Sequence, residues 1–449
     1  MEIHVIGAGL AGSEAAWQLA RRGFRVRLFE MRPGKQTAAH RTGQAAEMVC
    51  SNSFKSDDPT SATGILKAEL RRMGSLVLEC ADATRVPAGQ SLAVDRDLFS
   101  RGITERLKSH PGILWEESEV AAPQEGVPTI IATGPLSSNA IAAWIAEACG
   151  AKSLYFYDAI APIVLADSID TSVAYRASRY GKGAADFLNC PLDLETYERF
   201  ITSLLAAERA DLHDFDTPYF EACLPIEVMA ERGRETLRFG PMKPVGLEHP
   251  QSGARPHAVV QLRQDTLAGD HYNLVGFQTR LKWPAQKDVF RMIPGLEQAE
   301  FARFGSIHRN TYVQAPRVLD STLALRSKEG RWLAGQLAGV EGYRESAAAG
   351  MSAAAAAQRW ILGLPALPFP RETMLGSLLH YLAHSEAAGF SPVNAMLGLL
   401  PDLPPGSFDP RAAKRQFGSR GIKRAKGEAM RERALAALEL HLGQSPETP

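Results

Sequence analysis

The sequence predicts an α/β protein with three parts: a nucleotide-binding domain, a mixed α/β insertion that interrupts it, and a helical C-terminal segment. Three observations carry this. The first thirty residues form a strand–glycine–helix–strand unit. Two later pieces, Thr129–Pro135 and Arg331–Gln336, have the look of further strands of the same sheet. Between them the pattern changes to mixed strands and helices rich in aromatic and basic residues.

Glu2-Ile3-His4-Val5-Ile6 reads as a short strand, followed directly by Gly7-Ala8-Gly9-Leu10-Ala11-Gly12. Ser13–Ala20 reads as a helix that stops near Gly23, and Phe24–Glu30 as a second strand ending in an acid. GxGxxG alone is a weak signal, but strand, helix and terminal acid in this order make it a dinucleotide-binding fingerprint of the Rossmann type. Gly7 allows the tight turn, Gly9 lets backbone approach a pyrophosphate, and Gly12 lets helix and strand pack closely. The helix N-terminus, with Ala8, Leu10 and Ala11 around it, faces the phosphates. Glu30 is placed to accept hydrogen bonds from the adenosine ribose.

Thr129-Ile130-Ile131-Ala132-Thr133-Gly134-Pro135 reads as a buried strand ending in a turn at Gly134. Arg331-Trp332-Leu333-Ala334-Gly335-Gln336 is another, followed by Gly339, Gly342, Tyr343 and an alanine-rich helix from Ser346 to Trp360. A second strand–glycine–helix element this far along the chain suggests a second helix N-terminus aimed at an extended cofactor. FAD fits that arrangement better than NAD, with Gly134, Gly335, Gln336 and Gly342 at the cofactor; an ordinary αβ unit is the plainer alternative. No second GxGxxG follows a strand and no CxxC occurs, which argues against the disulfide reductases.

The expected division is a discontinuous FAD-binding domain over 1–150 and 305–366, an insertion or substrate domain over 151–304, and a helical basic segment over 367–449. Leu367-Pro368-Phe369-Pro370 marks the last boundary. From Arg411 to Arg433 nine basic residues face two acidic ones, a net +7 in a chain whose formal charge is zero, so the remainder carries −7. Asp409-Pro410 before this run reads as a helix N-cap with proline at the first helical position. The run is either a solvated helix face or a phosphate-contacting surface for nucleic acid.

The 449 residues include 45% hydrophobic and 22% charged side chains, an ordinary globular balance. The five cysteines, Cys50, Cys80, Cys149, Cys190 and Cys223, are odd in number and widely spaced, which speaks against a disulfide framework or a zinc site. Cys80, Cys149 and Cys190 read as structural thiols. No apolar run approaches the roughly 20 residues needed to cross a bilayer. The N-terminus does not read as a signal peptide, and a cytoplasmic location is expected.

Cys50 is different, since Ala46-Glu47-Met48-Val49-Cys50-Ser51-Asn52-Ser53 is not core composition. This string, Gly7–Gly12, Leu188–Pro191, Glu221–Glu227, Arg238–Leu247 and Gly335–Tyr343 together resemble the bacterial folate- and FAD-dependent tRNA (uracil-5-)-methyltransferases. These are relatives of the glucose-inhibited division protein A family, which modifies wobble uridines. The resemblance covers nearly the whole chain; Ala222 stands where that family is expected to favour glycine.

The resemblance implies 5-methyluridine formation in the T-loop of tRNA. Carbon comes from 5,10-methylenetetrahydrofolate and electrons from reduced FAD, recharged by NADH or NADPH. It places the two sulfur groups at Cys223, the nucleophile that adds to uracil C6, and Cys50, the acid–base or intermediate-handling partner; the reverse assignment stays open. His308 is expected to face the flavin and stack on a pterin, against the plainer reading of a structural histidine. Tyr343 is a candidate for flavin or folate contact. Arg280, Lys282, Lys243 and the basic run are candidates for tRNA phosphate or folate glutamate. The alternatives are the sister wobble-uridine pathway, a flavin-bound tRNA-binding protein without turnover, and a generic flavin oxidoreductase. The first predicts a longer chain.

Overall fold

Glu2–Ile6 is the centre of a five-stranded parallel sheet. Arg25–Glu30 pairs with it on one side and Thr129–Ile131 on the other. Ile113–Glu117 and Arg331–Leu333 form the two edges. Both distant pieces, Thr129–Ile131 and Arg331–Leu333, therefore join the sheet begun by the first thirty residues. The computed structural model describes residues 2–37, 39–150, 154–181, 184–210, 224–388 and 390–444.

A parallel strand covered on both faces reads as a nearly continuous apolar run; Ile3, Val5 and Ile6 are buried, and so is His4, edge-on to Phe29. One face is covered by the helix Leu10–Ala20, which packs on Tyr343–Ile361. The small residues make that approach possible: a Cβ on Gly350 would lie 2.1 Å from the Ala11 carbonyl oxygen. Ala347, Ala348, Ala349, Ala353 and Ala357 are buried in the same contact region. The alanine-rich stretch is thus a helix selected for closeness.

Both helices begin three residues before the sequence pattern suggests, at Leu10 and Tyr343, because Gly9 and Gly342 act as their N-caps. Gly335–Ala338 is a 3₁₀ turn, not the end of a strand, since Gly335 has φ +76°.

The insertion is built on a six-stranded sheet. Its order is Tyr175–Ala177, Phe187–Leu192, Ala258–Gln264, His271–Leu274, Ile163–Leu165 and Phe301–Arg303, all antiparallel. Val260, Leu262, Leu274 and Leu188 point to one face and form a core with Tyr197, Phe200 and Phe290; this second core lies wholly between Val164 and Ala299. An antiparallel ribbon of Leu154–Ile160 and Ser306–Tyr312 carries the chain into and out of the insertion.

The C-terminal helices pack on the nucleotide core, to which Met374, Leu378, Leu382, Met430, Ala434 and Leu438 belong. Asp409 caps the last helix, Pro410–Leu442, by accepting from the N–H groups of Arg411 and Ala412. That helix breaks at Gly418, with φ +66° and ψ −158°. Gly427 brings it against the Thr60 carbonyl, 2.3 Å from where a Cβ would sit. Among the described residues no helix is long and apolar enough to cross a membrane.

Candidate active site

A cavity of about 370 Å³ opens where the parallel strands end, between that edge and the insertion sheet. Its size lies in the range of small-molecule sites, roughly 300–1,000 Å³. Gly7, Gly9, Leu10, Ala11, Glu30, Gly134, Gly335, Gln336, Gly342, Tyr343 and Cys50 all line it. Eleven positions marked from sequence thus converge on one space from five separated stretches of chain.

The three fingerprint glycines have distinct reasons. Gly7 sits at φ +96°, and a Cβ there would lie 2.6 Å from the Ala132 carbonyl. A Cβ on Gly12 would overlap the Gly7 carbonyl at 1.8 Å, so Gly12 lies behind the loop and serves packing. Gly9 differs: its φ of −69° suits any residue, and the nearest atom to an added Cβ is 4.0 Å away. Nothing in the protein requires glycine at that position. The space is left on the cavity side, where a bound group approaches the helix N-terminus. Ala8 is buried behind the loop and donates its N–H to Glu30 at 3.0 Å.

Glu30 is more committed than the sequence suggests. One carboxylate oxygen accepts from Arg32 N and Nε, and the other from Ala8 N and Arg32 Nη2. Burial raises its pKa, but the Arg32 hydrogen bonds and charge outweigh that and hold it below the usual carboxylate range. Any further donor to Glu30 would share an oxygen already engaged. Arg32, buried and bonded also to Glu47 and the carbonyls of Thr42 and Gln44, ties this acid to the segment leading to Cys50.

The small polar residues around Cys50 now have a reason. Ala46 N–H donates to the Ala8 carbonyl at 2.8 Å, pinning this segment to the glycine loop. The N–H groups of Cys50 and Ser51 both donate to the Tyr343 hydroxyl, at 3.0 and 3.1 Å. Burial pushes that hydroxyl's pKa well above the usual phenol value, so it remains a neutral acceptor. Arg96 donates to the carbonyls of Met48 and Cys50 and pairs with Asp265 of the insertion at 2.8 Å. Arg263 donates to Asn52 Oδ1 at 2.9 Å and Ser51 Oγ at 2.8 Å. Cys50 is therefore half-buried at the seam of the two halves, its backbone fixed from both.

The electrostatics there are cationic. Burial lowers the pKa of Arg263 and of Arg303 to about 10, still charged at neutral pH. By contrast, burial pushes Cys80 and Cys149 up to about 11 and Cys190 up to about 12, which keeps those thiols protonated.

Cys223 lies outside the described residues. The chain resumes at Leu224, and Ile226 N–H donates to the carbonyl of Gln278, which lines the cavity. The backbone of His308 lies opposite Asp158 in the ribbon, while its side chain is outside the described residues. Arg280 and Lys282 are not among the lining residues. Arg280 lies 4.0 Å from buried Glu227, and Lys282 pairs with Glu208. Sequence reasoning missed Arg32, Arg96, Arg263 and Asn273. Only the strand pairing of the insertion brings the last two together, so no local motif announces them.

Sheet order, glycine loop and second helix N-terminus define a protein with a Rossmann-type FAD-binding fold. Residues 2–365 match the family described as Glucose inhibited division protein A, and the chain belongs to it. The chain is 56% identical over 401 residues to the methylenetetrahydrofolate-tRNA-(uracil-5-)-methyltransferase TrmFO of Desulforudis audaxviator, covering 89% of this chain and 91% of that one. It is 51% identical over 446 residues to the enzyme of that name from Heliobacterium modesticaldum, with 99% of each chain covered. It therefore belongs with the TrmFO proteins within the family. Among solved structures, GidA of Aquifex aeolicus in its form I crystal shares the fold at TM-score 0.68 and 17% identity, over 98% of this chain and 76% of that one.

Proposed function

We propose that this chain is a folate- and FAD-dependent tRNA (uracil-5-)-methyltransferase that forms 5-methyluridine in the T-loop. One observation carries the reading: the Cys50 segment and the glycine loop are walls of a single cavity, joined by the Ala46–Ala8 hydrogen bond. The space beside Gly9 supports FAD along the helix N-terminus. Bound FAD would supply the electron pair that takes a carbon from the methylene to the methyl level. The carbon source is 5,10-methylenetetrahydrofolate, and NADH or NADPH is the reductant.

The chain's own residues supply the rest. Cys223 is the nucleophile at uracil C6, and its neighbours Leu224–Ile226 return to the cavity wall at Gln278. Cys50 Sγ moves the proton at C5 or handles the intermediate, held by Tyr343 and Arg96. Arg263, bonded to the adjacent Ser51, holds positive charge beside it, suited to an anionic substrate or transition state. The wobble-uridine alternative is less supported, since the near relatives at 50% identity or more carry the uracil-5-methyltransferase name.

The test is transfer of label from carbon-labelled 5,10-methylenetetrahydrofolate to an unmodified tRNA transcript with FAD and NADPH. Label is expected in 5-methyluridine of the T-loop. No label in that nucleoside, with the flavin still reducible, overturns the reading. Retention of a covalent adduct between Cys223→Ala and 5-fluorouridine tRNA overturns the assignment of the nucleophile.

A further inference from the structure

The insertion sheet has one apolar face and one polar one. Leu262 and Leu274 point into the insertion core. Their neighbours Arg263 and Asn273 point the other way, as alternation along a strand requires. The two are direct partners across the antiparallel pair Ala258–Gln264 and His271–Leu274. Both line the cavity. Arg263 is 8% exposed and Asn273 3% exposed.

Arg263 is anchored through Nε and Nη2 to Asn52 and Ser51, beside Cys50, and neither bond uses Nη1. Asn273 Nδ2 is buried and has no hydrogen-bond partner among the described residues. A buried amide donor without an acceptor is costly and rare in a folded protein. Here it lines the cavity next to a buried guanidinium, and a ligand oxygen placed there removes the cost.

We infer that Arg263 and Asn273 form a paired donor subsite for the lactam carbonyl oxygen of a ring bound in this cavity, placing the reacting uracil's O4 between them. The inference rests on the methyltransferase reading. When the thiolate adds, the S–C6 bond forms and the C5=C6 electron pair moves through C4 onto O4. No proton is lost and the negative charge resides on that oxygen. Two donors fixed on a sheet, one of them charged, stabilise it without reorganising. A pterin carries the same lactam, so the experiment separates the two sources.

The variants are Asn273→Asp, which exchanges the donor for an acceptor at constant shape, and Asn273→Ala, which removes it. Each is compared with wild type as the FAD-loaded full chain, with retention of the bound-flavin spectrum reporting the fold. Adduct formation with 5-fluorouridine tRNA is expected to slow about 100-fold, while the Kd for tetrahydrofolate stays within about twofold. If tetrahydrofolate affinity falls instead and adduct formation holds, the subsite stands with the pterin lactam as its ligand. If neither changes, or only the flavin spectrum shifts, the inference is overturned. Failure of the wild type to transfer label marks failure of the methyltransferase reading alone, because tetrahydrofolate binding still judges the subsite.

Discussion

At the glycine end of the cavity the proposed recognition falls to the backbone. The helix N-terminus at Gly9, the turn at Gly7 and the N-cap at Gly342 present main-chain groups and empty space. At the insertion end it falls to side chains, Arg263 and Asn273 from neighbouring strands and Arg96 bridging to Asp265. Cys50 sits on the line between the two, with Tyr343 behind it from one side and Arg263 from the other. Backbone recognition needs particular residues at fixed short spacings and therefore writes a motif. Side-chain recognition needs only that a sheet register bring residues together, and it leaves no such trace.

The largest effects test the backbone end. In Gly12→Ala the new methyl meets the Gly7 carbonyl at 1.8 Å, and neither backbone can give way without opening the sheet. The expected result is failure to fold, or a loss of about 3 kcal/mol or more in thermal or denaturant unfolding. Gly9→Ala meets nothing nearer than 4.0 Å, so stability should hold. FAD affinity should nevertheless fall about 100-fold, because the methyl occupies the cofactor's side of the loop. If Gly9→Ala binds FAD normally, or unfolds like Gly12→Ala, the distinction between the two glycines fails.

The next largest effect lies at the seam. Tyr343→Phe removes the one oxygen that accepts from both Cys50 and Ser51 while keeping the ring against Phe54. Each buried N–H left without a partner costs about 1–3 kcal/mol. The variant should keep FAD and lose about 10- to 100-fold in label transfer, by the misplacement of Cys50. Unchanged transfer with intact flavin binding would show that Arg96, Arg263 and the Ala46–Ala8 bond hold the segment without it.

Non-local side-chain design also holds the C-terminal segment. Glu69, fully buried, accepts from the N–H groups of Met374 and Leu375 at 2.7 and 2.9 Å, capping a helix some three hundred residues away. Burial raises its pKa to about 7, against the lowering by those two donors. With the folded value above the ordinary 4.5, the native state binds more protons than the unfolded one between these pH values. This group's contribution is thus greatest below about pH 4.5 and is lost as pH rises through about 7, a swing on the order of 3 kcal/mol. Glu69→Gln should flatten the dependence of unfolding temperature on pH between 5 and 7. An equal slope in variant and wild type would assign it elsewhere.

The same contrast explains what was legible in the sequence. The parallel sheet was, because Ile3, Val5, Ile130 and Ile131 form apolar runs next to glycine turns, and because the fingerprint spans only six residues. Both distant strands were placed by the same pattern. Cys50 stood out by composition, and its neighbours Ser51 and Asn52 accept from Arg263 at the cavity wall. The partners did not stand out. Arg263 reads as one polar residue in an ordinary alternating strand, Asn273 as another, and Glu69 as an exposed acid on an amphipathic helix. Each acquires its role from chain that lies distant in sequence. Arg280 and Lys282 were marked by charge alone; Arg280 lies near Glu227 and Lys282 pairs with Glu208.

The smallest expected effect concerns the basic helix. Lys414, Arg415, Lys423, Arg424 and Lys426 are exposed, whereas Arg433 is half-buried and donates to the carbonyls of Pro401 and Asp402. The run therefore divides into a packing part and a solvent part. Only the solvent part can meet phosphate, and Arg424 is already paired with Glu428 at 2.9 Å. Lys423→Ala should leave stability unchanged, because the residue is exposed and its neighbours keep the helix. If this face contacts tRNA, the variant should weaken binding by less than about tenfold and reduce the slope of log affinity against log salt by about 0.7–0.9. Arg433→Ala should do the reverse, lowering stability with the salt slope intact. A common effect of both on the slope would dissolve the division. No effect of Lys423→Ala on the slope would return the exposed residues to the reading of a solvated face.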